Sequence, residues 1–84
     1  MRNFFKKTEL PPVELLIQTI LNANKYLHPE WSEEEVIFNS LHAVRSCKSH
    51  KQLAKYSTDM CKQSIAKLQE VMQLEQQLQL NTNN

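Results

Sequence analysis

Apolar residues recur every three or four positions along most of the chain, which is the spacing of one face of an α-helix. The first such run includes Leu16 and Ile20 and follows two consecutive prolines. Prolines suit the first turn of a helix because their missing N–H groups would be unpaired there. The pattern therefore predicts a first helix that begins at Pro11-Pro12 and ends near Leu27.

The second run opens on the segment WSEEEV, which has the pattern of a helix start. Ser32 can cap the helix, and Glu35 can reach back to the Ser32 amide to complete a capping box. Trp31 and Val36 occupy the positions of a hydrophobic staple. A second helix is predicted from Ser32 to about Cys47. Its apolar residues are expected to face inward: Val36, Ile37, Phe38, Leu41 and Val44.

The remaining apolar run, residues 50–80, allows two interpretations. As one unbroken helix it would be about 46 Å long, against about 25 Å for each of the first two helices. Those helices are too short to cover it, and an exposed apolar stripe of this size is typical of an interface. This interpretation predicts a partner-binding surface made of Ile65, Leu68, Val71, Met72 and Leu78.

The second interpretation breaks this run at Ser57-Thr58-Asp59, since these residue types favour caps and turns over helix interiors. A last helix would then begin at Thr58 or Asp59 and give a fold of four helices. Around this break, Leu53-Ala54, Met60, Ile65 and Leu68 resemble the helix-turn-helix pattern of the bacterial regulator families. That resemblance implies a recognition helix in the major groove. The residues available for nucleic acid are Lys48, Lys51, Lys55, Lys62, Gln63 and Lys67.

Composition favours helices in both interpretations. The chain has no glycine, the residue that tight turns and phosphate-binding loops normally require. We therefore expect an all-α protein, a small antiparallel bundle of three or four helices with a long C-terminal helix. Residues 1–84 would form a single domain, with a loose N-terminal arm at 1–9 and a frayed tail at 81–84.

Charge is segregated along the chain although the net charge is only +1. Residues 9–35 contain six acids and one base, whereas residues 45–67 contain six bases and one acid. A basic segment of this kind can attract nucleic acid or an acidic protein.

Reactive side chains are few. His42, Cys47, His50 and Cys61 could in principle be zinc ligands, but nothing in their spacing brings all four together. No glycine-containing loop offers a pair of oxyanion donors. We expect no catalytic residue, no metal and no cofactor, and we expect both cysteines to be free thiols.

Targeting signals are not evident either. No run of about 18 apolar residues could cross a membrane, so we expect no membrane partner and a cytoplasmic location.

The function expected from these patterns is regulatory or inhibitory and non-catalytic. The protein would bind another protein, or a second copy of itself as a dimer, through its C-terminal helix. The alternative is a helix-turn-helix-like DNA-binding regulator that uses residues 59–68. An enzyme is not expected.

Overall fold

The computed structural model describes residues 10–82, with side chains through Gln79. Three helices make up nearly all of this part of the chain: α1 (Val13–Leu27), α2 (Glu33–Ser46) and α3 (His50–Thr82). The described residues contain no strand, so the prediction of an all-helical protein is confirmed.

The predicted ends of the domain are only partly visible. The arm at residues 1–9 and the last two residues, 83–84, lie outside the described part of the chain. The helix extends through Thr82, two residues into the segment that we expected to be frayed.

Two of the helices begin with side-chain hydrogen bonds, and the capping box at the start of α2 is the one that the sequence analysis predicted. The Ser32 hydroxyl accepts from the Glu35 amide at 3.1 Å, and the Glu35 carboxylate accepts from the Ser32 amide at 2.8 Å. At the start of α3, the Ser49 hydroxyl accepts from the Gln52 amide at 3.1 Å. These bonds satisfy N–H groups that have no partner inside the helix.

The third helix is continuous through Ser57, Thr58 and Asp59, so no separate fourth helix starts there. The Thr58 hydroxyl donates to the Ala54 carbonyl at 3.0 Å, which lets this side chain remain inside a helix. Ser57 is buried against the rest of the protein. The turn that a helix-turn-helix requires at these residues is therefore not formed.

The core is small and lies mainly between α1 and α3. Leu16 and Ile20 of α1 pack with Leu53 of α3, and Ile20 is fully buried. Val36 of α2 and Met60 of α3 are also buried. Because α1 contacts both other helices while α2 and α3 touch little, α1 is the central element.

Two contacts give the relative direction of α1 and α3. The His50 ring donates through Nε2 to the Pro11 carbonyl oxygen, at 2.6 Å, beside the start of both helices. Near the end of α1, Lys67 Nζ donates to the Tyr26 carbonyl oxygen at 2.9 Å. The two helices therefore run in the same direction, with residues about 40 positions apart side by side.

The molecule is thin. Its extents are 53 × 43 × 14 Å, and its radius of gyration is 17.0 Å, against about 12 Å for a compact domain of this length. A shape this flat leaves large parts of the helix surfaces without a covering element.

This thin shape explains why part of the predicted core is wrong. Ile37, Phe38 and Leu41 of α2 were expected to face inward, but all three are exposed, and Phe38 is 71% exposed. No second layer covers the outer side of α2, so only Val36 and Ser40 of this helix are buried.

Candidate protein-binding surface

The C-terminal half of α3 extends beyond the rest of the protein. Every described side chain from Leu68 through Gln79 is exposed. In the N-terminal half, by contrast, Leu53, Ser57 and Met60 are buried against the other helices. The mismatch in length that the sequence predicts for an unbroken third helix is therefore present in the structure.

All five residues of the predicted partner-binding surface are exposed, but they do not form one stripe. At about 100° per residue, Ile65, Leu68 and Met72 share one side of α3, together with Cys61. We call these four residues the side stripe. Val71 and Leu78 lie elsewhere around the helix, so they belong to a different surface.

The second surface consists of Val71, Leu74 and Leu78, which we call the continuing stripe. These residues prolong the side of α3 that carries Leu53 and Met60, the side that packs on α1. At about 100° per residue, the continuing stripe lies about 90° or more around α3 from the side stripe. The predicted partner-binding surface combines residues of both stripes.

The side stripe is substantially exposed. Ile65 is 54% exposed, Leu68 is 48% exposed and Met72 is 52% exposed. Single exposed apolar residues are normal on protein surfaces, but a contiguous row of them marks an interaction site.

Lys67 separates the covered part of α3 from the exposed part. Its Nζ bonds the Tyr26 carbonyl oxygen and lies 5.0 Å from the centroid of the Tyr26 ring. A cation at the C-terminal end of α1 is favourable, because the last carbonyls of a helix have no partner and carry partial negative charge. Lys67, one of the predicted nucleic-acid residues, thus holds two helices together.

The turn after α1 is built from polar and aromatic contacts. The His28 and Trp31 rings are stacked with their centroids 3.8 Å apart, and the Trp31 amide donates to the His28 carbonyl. A backbone hydrogen bond at Glu30, with a smaller contribution from the His28 ring, lowers the pKa of the Glu30 carboxyl below its ordinary value. This turn forms without glycine, as the composition requires.

The remaining predicted nucleic-acid residues include a row of lysines on α3. Lys51, Lys55 and Lys62 are exposed and recur at spacings of four and seven residues. Their positions lie about 180° around the helix from the side that packs on α1. Lys48 precedes the helix and is exposed, whereas Gln63 is exposed but lies off this row.

The clefts between the helices are shallow, and the one between α2 and α3 includes Cys47, Tyr56 and Asp59 in its lining. The cleft between α1 and α2 has a volume of about 210 Å³ and is open to solvent; Leu21, Trp31 and Ile37 contribute its apolar lining. Among residues 10–82, no cluster of three or more His, Cys, Asp or Glu side chains could hold a metal ion. Within the same range, no helix is long and apolar enough to span a membrane.

One buried polar contact between α1 and α2 was not predicted from the sequence. The Asn24 amide donates from Nδ2 to Ser40 Oγ at 2.9 Å, and both side chains are buried between α1 and α2. A signal was present, because Asn24 lies in the apolar stripe of α1 and Ser40 lies four residues after Val36. Lys67 and Tyr26 gave no comparable signal, since their contact depends on how α1 and α3 are aligned.

Comparisons of the chain with protein-family models, with curated proteins and with solved structures found no match.

Proposed function

We propose that this protein is a small non-catalytic regulatory protein that acts by binding protein through the exposed C-terminal half of α3, and that it binds a second copy of itself there. The three helices form an up-down-up arrangement in which α2 runs antiparallel to its neighbours. The exposed half of α3 then projects beyond the α1–α2 hairpin as a docking element.

The observation that carries this proposal is the pair of exposed apolar stripes on one helix. Helical domains normally bury their apolar stripes between two packed layers. Here the molecule is only 14 Å thick, and its own chain supplies no second layer over Leu68 or Met72. A second copy would provide the missing layer without requiring any other partner.

Molar mass in solution tests this proposal. One chain has a mass of 9.9 kDa. Light scattering during gel filtration should give twice this mass at micromolar concentration. Leu68→Asp should shift the mass to that of a single chain, because a carboxylate placed in an apolar interface is desolvated without a partner. Leu68 is half-exposed in the single chain, so the variant should keep its helical circular dichroism.

A matched control lies on the same helix. Gln77→Asp introduces the same carboxylate at an exposed position away from both stripes and should leave the dimer intact. If the wild-type protein has the mass of one chain at every concentration, self-association is wrong. A loss of dimer in both variants would show that the charge and not the stripe is responsible.

A second candidate function is supported by the exposed lysine row. Lys51, Lys55 and Lys62 present three cations on one side of α3, and the one acidic side chain beside them is Asp59, four residues after Lys55 and three before Lys62. Such a row can bind the phosphates of nucleic acid electrostatically, without inserting a recognition helix. Binding of this kind would not require the turn at residues 57–59.

Salt dependence separates this candidate from the first. DNA binding through phosphate contacts should weaken linearly with the logarithm of salt concentration, with a slope set by the number of cations involved. Lys55→Gln with Lys62→Gln should reduce that slope by about 2 for each chain that contacts DNA. Retention in a gel shift that does not respond to salt or to this double variant would refute the phosphate-binding candidate.

A further inference from the structure

We infer that two copies of this chain pair through α3 in antiparallel orientation, with the side stripe of each copy packed on the side stripe of the other and the centre of the pair between residues 66 and 67. This inference rests on the proposed self-association and adds its geometry. It also assigns a separate role to the continuing stripe.

The spacing of the side stripe permits this arrangement. Cys61, Ile65, Leu68 and Met72 are separated by four, three and four residues, and this sequence of spacings is the same in both directions. An antiparallel pair centred between residues 66 and 67 therefore places Ile65 opposite Leu68 of the second copy. The same pairing places Cys61 opposite Met72, so every member of the stripe meets another member.

Charge selects the antiparallel orientation over the parallel one. The N-terminal half of α3 carries a surplus of lysines, whereas the part after Leu68 carries two acids, Glu70 and Glu75. A parallel pair would place the lysine-bearing half of one α3 at the level of the same half of the other. The antiparallel pair brings Glu75 of one copy to the level of Thr58 of the other, so the acidic half of each α3 lies along the lysine-bearing half of its neighbour. The dipoles of the two long helices are also opposed in this orientation.

Symmetry then determines where the α1–α2 hairpins lie. The two-fold axis of such a pair is perpendicular to both α3 helices and to the line between them, and the interface is isologous. The two α3 helices lie in one plane, and rotation about this axis exchanges the two copies. A residue that lies above this plane in one copy therefore also lies above it in the other. Because the hairpin packs about 90° around α3 from the side stripe, both hairpins lie on the same side. Each hairpin is beside the exposed half of the other copy's α3.

This placement gives the continuing stripe a partner surface. Each α1 residue lies beside an α3 residue about 40 positions later, so Leu15 lies beside residue 55 of its own chain. In the antiparallel pair, residue 55 is opposite residue 78. Leu15 of the second copy, which is 55% exposed, is therefore level with Leu78. The continuing stripe faces the edge of α1 that is turned away from α2.

The limited apolar area of the side stripes favours this second contact. Ile65, Leu68 and Met72 are each about half-exposed in the single chain, so packing the side stripes together buries only the remaining half of these side chains. Association must also offset the lost freedom of two molecules and of the side chains at the interface. Contact between the continuing stripe and α1 of the second copy supplies the additional apolar area.

Thiol cross-linking tests the arrangement in the full chain. Cys47→Ser with Met72→Cys leaves thiols at positions 61 and 72, which are too far apart along one helix to join within a chain. Oxidised glutathione should convert this variant to a covalent dimer. Mass spectrometry of its proteolytic peptides should show position 61 of one copy linked to position 72 of the other.

The control is Cys47→Ser with Gln77→Cys, which places the second thiol on the opposite side of α3. It should give at least about tenfold less covalent dimer, since a disulfide requires Cα atoms within about 7 Å. A protein that has the mass of a dimer but forms links between identical positions, or forms no links, overturns the antiparallel arrangement and leaves self-association standing. A protein with the mass of one chain overturns both.

Discussion

Asn24 and Ser40 show how a single polar pair can join two helices that share little apolar surface. Both side chains are buried, and the Asn24 amide donates to Ser40 Oγ at 2.9 Å. A buried polar group is costly when it lacks a partner, so this pair favours one alignment of α2 on α1. Val36 is the only apolar side chain of α2 that is buried, so the alignment of α2 on α1 depends more strongly on the Asn24–Ser40 pair.

Removal of one partner should therefore be more damaging than removal of both. Ser40→Ala leaves the Asn24 amide without an acceptor and should lower the free energy of unfolding by about 1–3 kcal/mol. Ser40→Ala combined with Asn24→Leu should recover most of this loss, because no buried polar group remains. Urea denaturation followed by circular dichroism measures both changes.

Ser46→Ala is a suitable comparison, because Ser46 lies on the same helix and is exposed. It should change the free energy of unfolding by less than about 0.5 kcal/mol. If Ser40→Ala has no larger effect than Ser46→Ala, the buried pair does not stabilise the contact between α1 and α2.

At the scale of the helix, α3 shows what local sequence signals can and cannot predict. The capping residues Ser32 and Glu35 predict the start of α2 correctly, because that start depends on a few neighbouring atoms. Ser57, Thr58 and Asp59 also have the composition of a turn, yet they lie inside a helix. Ser57 is buried in contact with the rest of the protein, and this long-range packing overrides a local preference for a turn.

A continuous helix at this point predicts a specific effect of alanine. Thr58 and Asp59 are exposed, and alanine has the higher helix propensity by about 0.5 kcal/mol per residue. Thr58→Ala and Asp59→Ala should each raise the free energy of unfolding by about that amount, measured by urea denaturation. If either residue capped a separate helix, its replacement would instead lower the free energy of unfolding by about 1 kcal/mol.

Which side chains of α1 and α2 are exposed was harder to predict than where the two helices begin and end. Periodicity identifies which residues share a side of a helix, but it does not reveal whether another layer covers that side. Leu15 and Phe38 are apolar and fit the helical pattern, yet both are exposed because the flat single chain leaves them without a covering element. The division of α3 into two stripes, by contrast, follows from about 100° per residue and could have been predicted from the sequence. Only the side that packs on α1 required the structure.

For the whole molecule, the thin shape predicts that folding and association are coupled. A dimer that buries surface left open in the single chain is stabilised by mass action, so its melting temperature rises with protein concentration. The melting temperature of the wild-type protein, measured by circular dichroism, should rise as the chain concentration increases from micromolar to hundreds of micromolar. Leu68→Asp should melt at one temperature throughout this range, and Gln77→Asp should behave like wild type. A concentration-independent melting temperature in the wild type would contradict the coupling.

The parallel alignment of α1 and α3 has a consequence for the order in which the protein is made. Ile20 has no partner in α3 until the ribosome has added Leu53, more than thirty residues later. The segment after Lys67, which carries the continuing stripe, is made after all of these core residues. A newly made chain can therefore close its own core before it displays the surface that would join it to a neighbour on the same message.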